Sequence, residues 1–225
     1  MAYQAGGRRP APRPVPEGLE AQAYLQDYAL LLDAVPFPSL VVDHRWDVVL
    51  ANGAFETLFR AVAPHPTAMP GDNFLRFVLF HPDAGTILGA HEAGWCLPML
   101  AQFKTILESY GHDHELQSIR REIAQDPIME AAFRQGLPHW LRAVGEEGAQ
   151  LDGAVRLLLH PDPLLGATEC RVVGETPKTL QDMGYARYTL VLRAAPRPAP
   201  APAPRRSRRP GGLGAHLTVV PAPEG

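Results

Sequence analysis

The sequence predicts an α+β domain: five strands, with helices inserted between the second and the third. Three observations carry that expectation. Two short strand-like runs, at 40–42 and 48–50, flank a tight turn near the start. In the middle of the chain, apolar residues recur every three or four positions, the spacing that stacks side chains along one face of a helix. Three further strand-like segments close the pattern. A length of 225 residues suits one ordinary domain with trimmings.

Residues 19–34 read as a helix, because Leu25, Tyr28, Leu32 and Val35 fall on one face and Pro36 and Pro38 end it. From Ser39 the period changes to two, and after His44-Arg45-Trp46 a second strand returns antiparallel. Asn52 can cap a helix in which Phe55, Leu58, Phe59 and Val62 stand at i, i+3, i+4 and i+7. The stretch 73–80 is too apolar for a linker and reads as a short core helix. Pro98 suits the first turn of the next helix, which carries Met99, Phe103 and Tyr110 and stops at Gly111. Asp113 caps a helix with Leu116, Ile119 and Ile123 on one side, and Asp126-Pro127 opens another with Met129 and Phe133 one turn apart. The remaining strands are expected at 156–160, 170–173 and 185–194. In the last, Tyr188, Leu190 and Leu192 are expected to face inward, and Arg187, Thr189, Val191 and Arg193 to face water.

Composition separates a body from two ends. Of 24 prolines, twelve lie in residues 1–18 and 193–225, so disordered Pro/Arg-rich tails are expected at 1–18 and 195–225 around an ordered domain at 19–194. Residues 193–225 hold six arginines against Glu224, a balance of +5, and residues 1–18 hold three against Glu17, a balance of +2. The overall charge of −3 therefore conceals a body, residues 19–192, at −10, which does not favour a phosphate backbone. Cys96 and Cys170 are too few for a disulfide framework and fit a reducing cytoplasm. No run of about 18 apolar residues and no signal-peptide pattern is present. A soluble, cytoplasmic protein without a membrane partner is expected.

No Walker loop, G-x-S-x-G elbow, H-E-x-x-H pair or dinucleotide-binding glycine cluster occurs, so no enzymatic activity, catalytic residue or cofactor is expected. The nearest thing to a metal constellation is His112-Asp113-His114-Glu115; it would need ligands from elsewhere, and a capped helix start is the simpler reading. His81-Pro82-Asp83 and His160-Pro161-Asp162 read as turns. Cys96 has no basic neighbour in the sequence to activate it. The run Arg205-Arg206-Ser207-Arg208-Arg209 is either a contact for nucleic acid or acidic partners or a solvated, non-specific tail. The inner faces gather Phe55, Phe59, Phe74, Phe77, Trp95, Met99, Phe103 and Tyr188, side chains that can line an apolar cavity or equally fill a core.

The segment 38–55, two strands leading to Asn52 and a helix, resembles the opening of PAS domains. More narrowly, it resembles the MmyB-like ligand-binding domain of bacterial Xre-type transcription regulators. Asn73-Phe74-Leu75-Arg76 followed by Phe80, then Trp95, the helix near Lys104, the helix at 113–125, Phe133-Arg134 and Leu158-Leu159-His160-Pro161 fall in that family's order. The resemblance covers about residues 20–195. It implies a PAS-like fold, a five-stranded antiparallel sheet with helices packed to one side, enclosing a pocket that in relatives accepts a fatty-acid-like ligand. On that basis Phe55, Leu58, Phe59, Phe74, Val78 and Trp95 are expected to line a site for a small apolar or amphipathic molecule. Met99, Phe103, Leu157, Leu159, Tyr188 and Leu190 would complete the lining. Arg76 is either a partner for a ligand carboxylate or a surface or internally paired arginine.

The resemblance further implies that the helix at 19–34 carries the signal, since in the resembling proteins it joins sensor to DNA-binding domain. The alternative role is a ligandless interaction module that forms a homodimer through that helix or the outer face of the sheet. Two departures stand out. No helix-turn-helix pattern precedes Leu19, so no direct DNA contact is expected from this chain. After Phe133-Arg134 the family commonly has a tryptophan and then a histidine, whereas Gln135-Gly136-Leu137-Pro138 stands here, so the pocket wall is expected to be rebuilt.

Overall fold

In the computed structural model, which describes residues 18–193, the alternation at 39–50 becomes an antiparallel pair, β1 (Ser39–Val42) and β2 (Val48–Ala51). The expected tails at 1–18 and 195–225 lie, Gly18 apart, outside the described residues. Asp43 makes the turn between the strands: its Oδ1 accepts the backbone N–H of Arg45 at 2.8 Å and of Asp47 at 3.0 Å, the local bonding for which aspartate is favoured in turns.

The sheet has six strands, not five. Its order is β2-β1-β6-β5-β4-β3, with β3 (Leu88–Gly89), β4 (Val155–Leu159), β5 (Ala167–Val173) and β6 (Ala186–Leu192), every pair antiparallel. The additional strand β3 is two residues long and pairs with Leu157 and Leu158 of β4. A Cβ added at Gly89 would stand 2.6 Å from Leu157 Cγ, so any larger residue there would displace the Leu157 side chain that packs across the edge. The helical insertion is accordingly split. Helices α2 (Gly53–Phe59), α3 (Phe74–Phe80) and α4 (Ala84–Ile87) precede β3, and α5 (Leu97–Ser109), α6 (His114–Gln125), α7 (Pro127–Ala131) and α8 (Leu137–Gly148) follow it. Helix α8 is interrupted at Gly145, where φ is 74°.

The expected caps form at Asn52, Asp113 and Asp126, and Asn73 adds one that was not anticipated: each accepts first-turn backbone N–H groups, of α2, α6, α7 and α3 in turn, a contribution of about 1 kcal/mol apiece. Two single π-helical turns, Glu92–Cys96 before α5 and Ala132–Gly136 before α8, re-aim Trp95 and Phe133 toward the interior.

Helices cover both faces of the sheet, which corrects the expectation of packing on one side. The inner face, with Leu40, Val42, Leu158, Cys170, Val172 and Leu190, packs on α2, α3, α5, α6 and the start of α8. On the outer face Val41 packs with Tyr28 and Leu32 of α1 (Leu19–Asp33) and with Leu180 and Met183 at α9 (Lys178–Asp182). Thr189, expected to face water, is therefore buried, and its hydroxyl meets that of Ser39 at 3.0 Å. No helix among the described residues is long and apolar enough to cross a membrane.

Candidate functional site

The aromatic residues expected to border a cavity lie mostly against one another. Phe55 and Phe59 have ring centroids 4.7 Å apart, Phe59 and Phe77 meet edge-on at 5.1 Å, and Phe74 stands 6.0 Å from both Phe55 and Phe59. These are the separations of packed aromatic clusters. Leu58, Val78, Trp95, Met99, Phe103 and Leu190 are buried in the same core. Trp95 is further anchored by its indole N–H, which donates to the Leu157 carbonyl at 3.1 Å.

The strand β4 presents the opposite parity from the one expected. Leu158 enters the main core with no exposed surface, whereas Leu157 and Leu159 are only partly buried and lie on the other face. Arg76 forms an ion pair with Glu122 at 2.5 Å, so its guanidinium is engaged by the protein's own carboxylate. Of the chemistry weighed for His112 to Glu115, Asp113 is committed elsewhere. Its Oδ1 caps α6, and its Oδ2 lies 2.8 Å from Arg45 Nε and 3.2 Å from His44 Nε2. Burial opposes ionisation of Asp113, but the Leu116 N–H, His44 and Arg45 outweigh it and hold the carboxyl below its ordinary range. Among the described residues no group of His, Cys, Asp and Glu is arranged to hold a metal ion.

Both thiols are buried, and burial pushes each up to about 12. Cys96 Sγ donates to the Val78 carbonyl at 3.4 Å. Because the thiolate is the reactive species, neither cysteine is expected to react with Ellman's reagent in the native protein at pH 8, and both are expected to react once it is unfolded. Rapid labelling of the native protein would contradict the placement of these side chains.

Open grooves lie at two ends of the core. One, of about 390 Å³, runs along the edge strand β2 and is bordered by Val48, Ala51, Phe55, Phe59, Pro70 and Gly71. The second, of about 380 Å³, opens between the end of β6 and α5. Val42, Trp46, Ile106, Ala186 and Tyr188 supply apolar and aromatic surface there, and His44, Gln102 and Gln181 supply polar groups. A smaller groove of about 230 Å³ shares Gln102 and Tyr188 with it and adds Asp152, Thr176 and Arg187. Tyr188 thus stands between two openings. Burial, with Asp152 nearby, pushes its phenol up, so it remains a neutral hydrogen-bonding group.

Trp46 was not anticipated as a site residue. It adopts φ 67°, a left-handed conformation that costs a bulky side chain about 1 kcal/mol or more. Asp43 and the pairing of Trp46 with Phe74 enforce it: Trp46 N–H donates to the Asp43 carbonyl, and its own carbonyl accepts from Phe74 N–H. The result is an indole stacked on Tyr188, centroids 5.1 Å apart, at the border of the second groove. A positive φ at tryptophan leaves no signal in a sequence. Gln102 and Ile106 could have been placed on the groove side of α5 only with its packing known.

An aromatic pair held over a partly apolar groove, with a few polar groups at the rim, has the composition of a small-molecule site. No curated protein matches the chain. Residues 26–137, from α1 to the first residue of α8, match the model of the family described as the MmyB-like transcription regulator ligand binding domain.

Proposed function

We propose that the chain is the sensory module of a bacterial transcription regulator with a PAS-like fold, acting in the cytoplasm. It accepts a small apolar or fatty-acid-like molecule between the sheet and α5. The observation that carries this reading is the Trp46–Tyr188 stack bordering the 380 Å³ groove, because an aromatic pair beside a few polar rim groups is the lining that small-molecule sites use. The family supports the same reading, being a regulator's ligand-binding domain and not an enzyme class. For binding to act as a signal, the ligand must favour one of two conformations, and α1, packed on the outer face of β1, is the element placed to report the change.

Native mass spectrometry and thermal unfolding test the proposal. A co-purified acyl mass, or a rise in melting temperature with medium- and long-chain acids, is expected. Gln102→Trp, which would plug both grooves at Tyr188, should abolish that rise while leaving the ligand-free melting temperature within a few degrees. A clean protein mass and no shift with any acid would sink the sensing role.

A second reading, a homodimerising interaction module, is favoured by one observation: Leu30 and Leu31 on α1 are 72% and 66% exposed, and Leu19 is 87% exposed. Analytical ultracentrifugation decides it. A dimer that Leu30→Lys with Leu31→Lys dissociates would support this role, and a monomer at high concentration would exclude it.

A further inference from the structure

Arg156 lies on the inner face of the sheet. It stands directly opposite Cys170 in the β4–β5 register, two residues before Leu158, and both of those side chains are buried in the main core. Its Nε and Nη2 are buried and have no hydrogen-bond partner. These two nitrogens form one edge of the guanidinium, the edge whose parallel N–H groups donate to the two oxygens of a carboxylate side by side. Burial draws the arginine's pKa down from its ordinary value, the mark of a cation removed from water without an anion to compensate.

The inner face supplies no such anion. Its neighbours in the register are Thr168, Val172, Leu190 and Leu192, none of them acidic. Cys170 is closest, but burial pushes its thiol up to about 12, so it carries no charge. The other arginine with an unpartnered buried nitrogen, Arg187, lacks an acceptor at Nε alone and donates from Nη1 to Tyr28 Oη at 3.3 Å. It does not present a vacant two-nitrogen edge. Two arginines of the core helices are already paired, Arg76 with Glu122 and Arg120 with Glu130.

We infer that Arg156 is the anion-recognising residue of this domain: its Nε–Nη2 edge receives, side-on, the oxyanion of a bound molecule, a carboxylate in a small amphipathic acid. The inference rests on the sensory reading and deepens it by naming the head group. It concerns a residue outside the segment that matches the family. The same edge would accept a free inorganic oxyanion, and the experiment separates the two sources.

Thermal unfolding of the full chain is measured with octanoate, 1-octanol, acetate and sulfate, for the wild type, Arg156→Met and Arg156→Lys. Octanoate at about a hundred times its Kd is expected to raise the wild-type midpoint by roughly 5–10 °C, and 1-octanol by much less. Arg156→Met should be at least as stable as the wild type without ligand, because it removes an uncompensated buried charge, and should lose the preference for octanoate over octanol. Arg156→Lys should retain only part of that preference, since an ammonium cannot make the two-point contact. An Arg156-dependent shift with acetate or sulfate as large as that with octanoate would assign the edge to a free anion and support an anion site without an acyl chain. Equal responses to octanoate and octanol in the wild type, or an octanoate preference that survives in Arg156→Met, would overturn the assignment and leave the apolar-ligand reading standing. If no probe shifts any variant, both fall together.

Discussion

Replacing Asn52 by aspartate is expected to destabilise the domain by about 3 kcal/mol or more, the range seen when one member of a buried polar network is made incompatible with the rest. Asn52 is 1% exposed and uses its whole amide. Its Oδ1 accepts the N–H of Ser39 and of Phe55, each at 3.0 Å, starting β1 and capping α2. Its Nδ2 donates to the carbonyls of Leu32 at 3.2 Å, Val35 at 2.9 Å and Phe37 at 2.9 Å, where α1 ends and the chain turns into the sheet. Aspartate keeps the accepting side and sets a second carboxylate oxygen against three carbonyls. Alanine removes both sides and should cost less than aspartate, because it strands the carbonyls without adding a charge. Urea unfolding of the two variants orders them, and hydrogen exchange should show the C-terminal turn of α1 opening first. If aspartate cost no more than the roughly 1 kcal/mol of an ordinary cap, the bridge to α1 would be energetically idle, and with it the path from the sheet to the helix proposed to report binding.

That bridge also shows where a sequence can and cannot be read. The cap on α2 was legible because it is local: an asparagine three residues ahead of Phe55, followed by an apolar stripe. The three carbonyls on the far side of the same amide lie 15 to 20 residues away, and no spacing rule reports them. The same division holds elsewhere. Helices α5, α6 and α7 were marked by Pro98, Asp113 and Asp126-Pro127, whereas β3 is two residues that count as a strand only because β4 lies beside them.

Parity along β4 failed for a different reason. Leu157, Leu158 and Leu159 form an unbroken apolar run, so period two is present in the backbone and absent from the sequence. The choice of Leu157 and Leu159 for the inner face put Arg156 on the wrong side, and its inward placement became visible only through its register with Cys170. Arg76 had an alternative reading as an internally paired residue, but the partner, Glu122, is 46 residues on. The site itself depends on a backbone angle at Trp46 and on the approach of α5 to β6, both tertiary properties.

Truncating Phe59 to alanine is the companion test, and it addresses whether the aromatic cluster is filled core or vacated wall. Phe59 is 5% exposed and touches the rings of Phe55, Phe74 and Phe77, so losing its ring is expected to cost about 3–5 kcal/mol, transfer and cavity contributions together. The ring also borders the 390 Å³ groove beside β2, so the vacated volume would join an existing opening. A cavity lined by phenylalanines stays dry and takes apolar guests; benzene should therefore raise the melting temperature of Phe59→Ala by more than it raises that of the wild type. A loss under about 1 kcal/mol would mean that the ring already faces open space, which would move the candidate site from the Trp46–Tyr188 end of the sheet to the β2 edge. The expected larger loss would leave the aromatic cluster as the rigid floor on which α2 and α3 are seated, and ligand binding at Tyr188 could then shift β6 and β1 against it without unpacking the core.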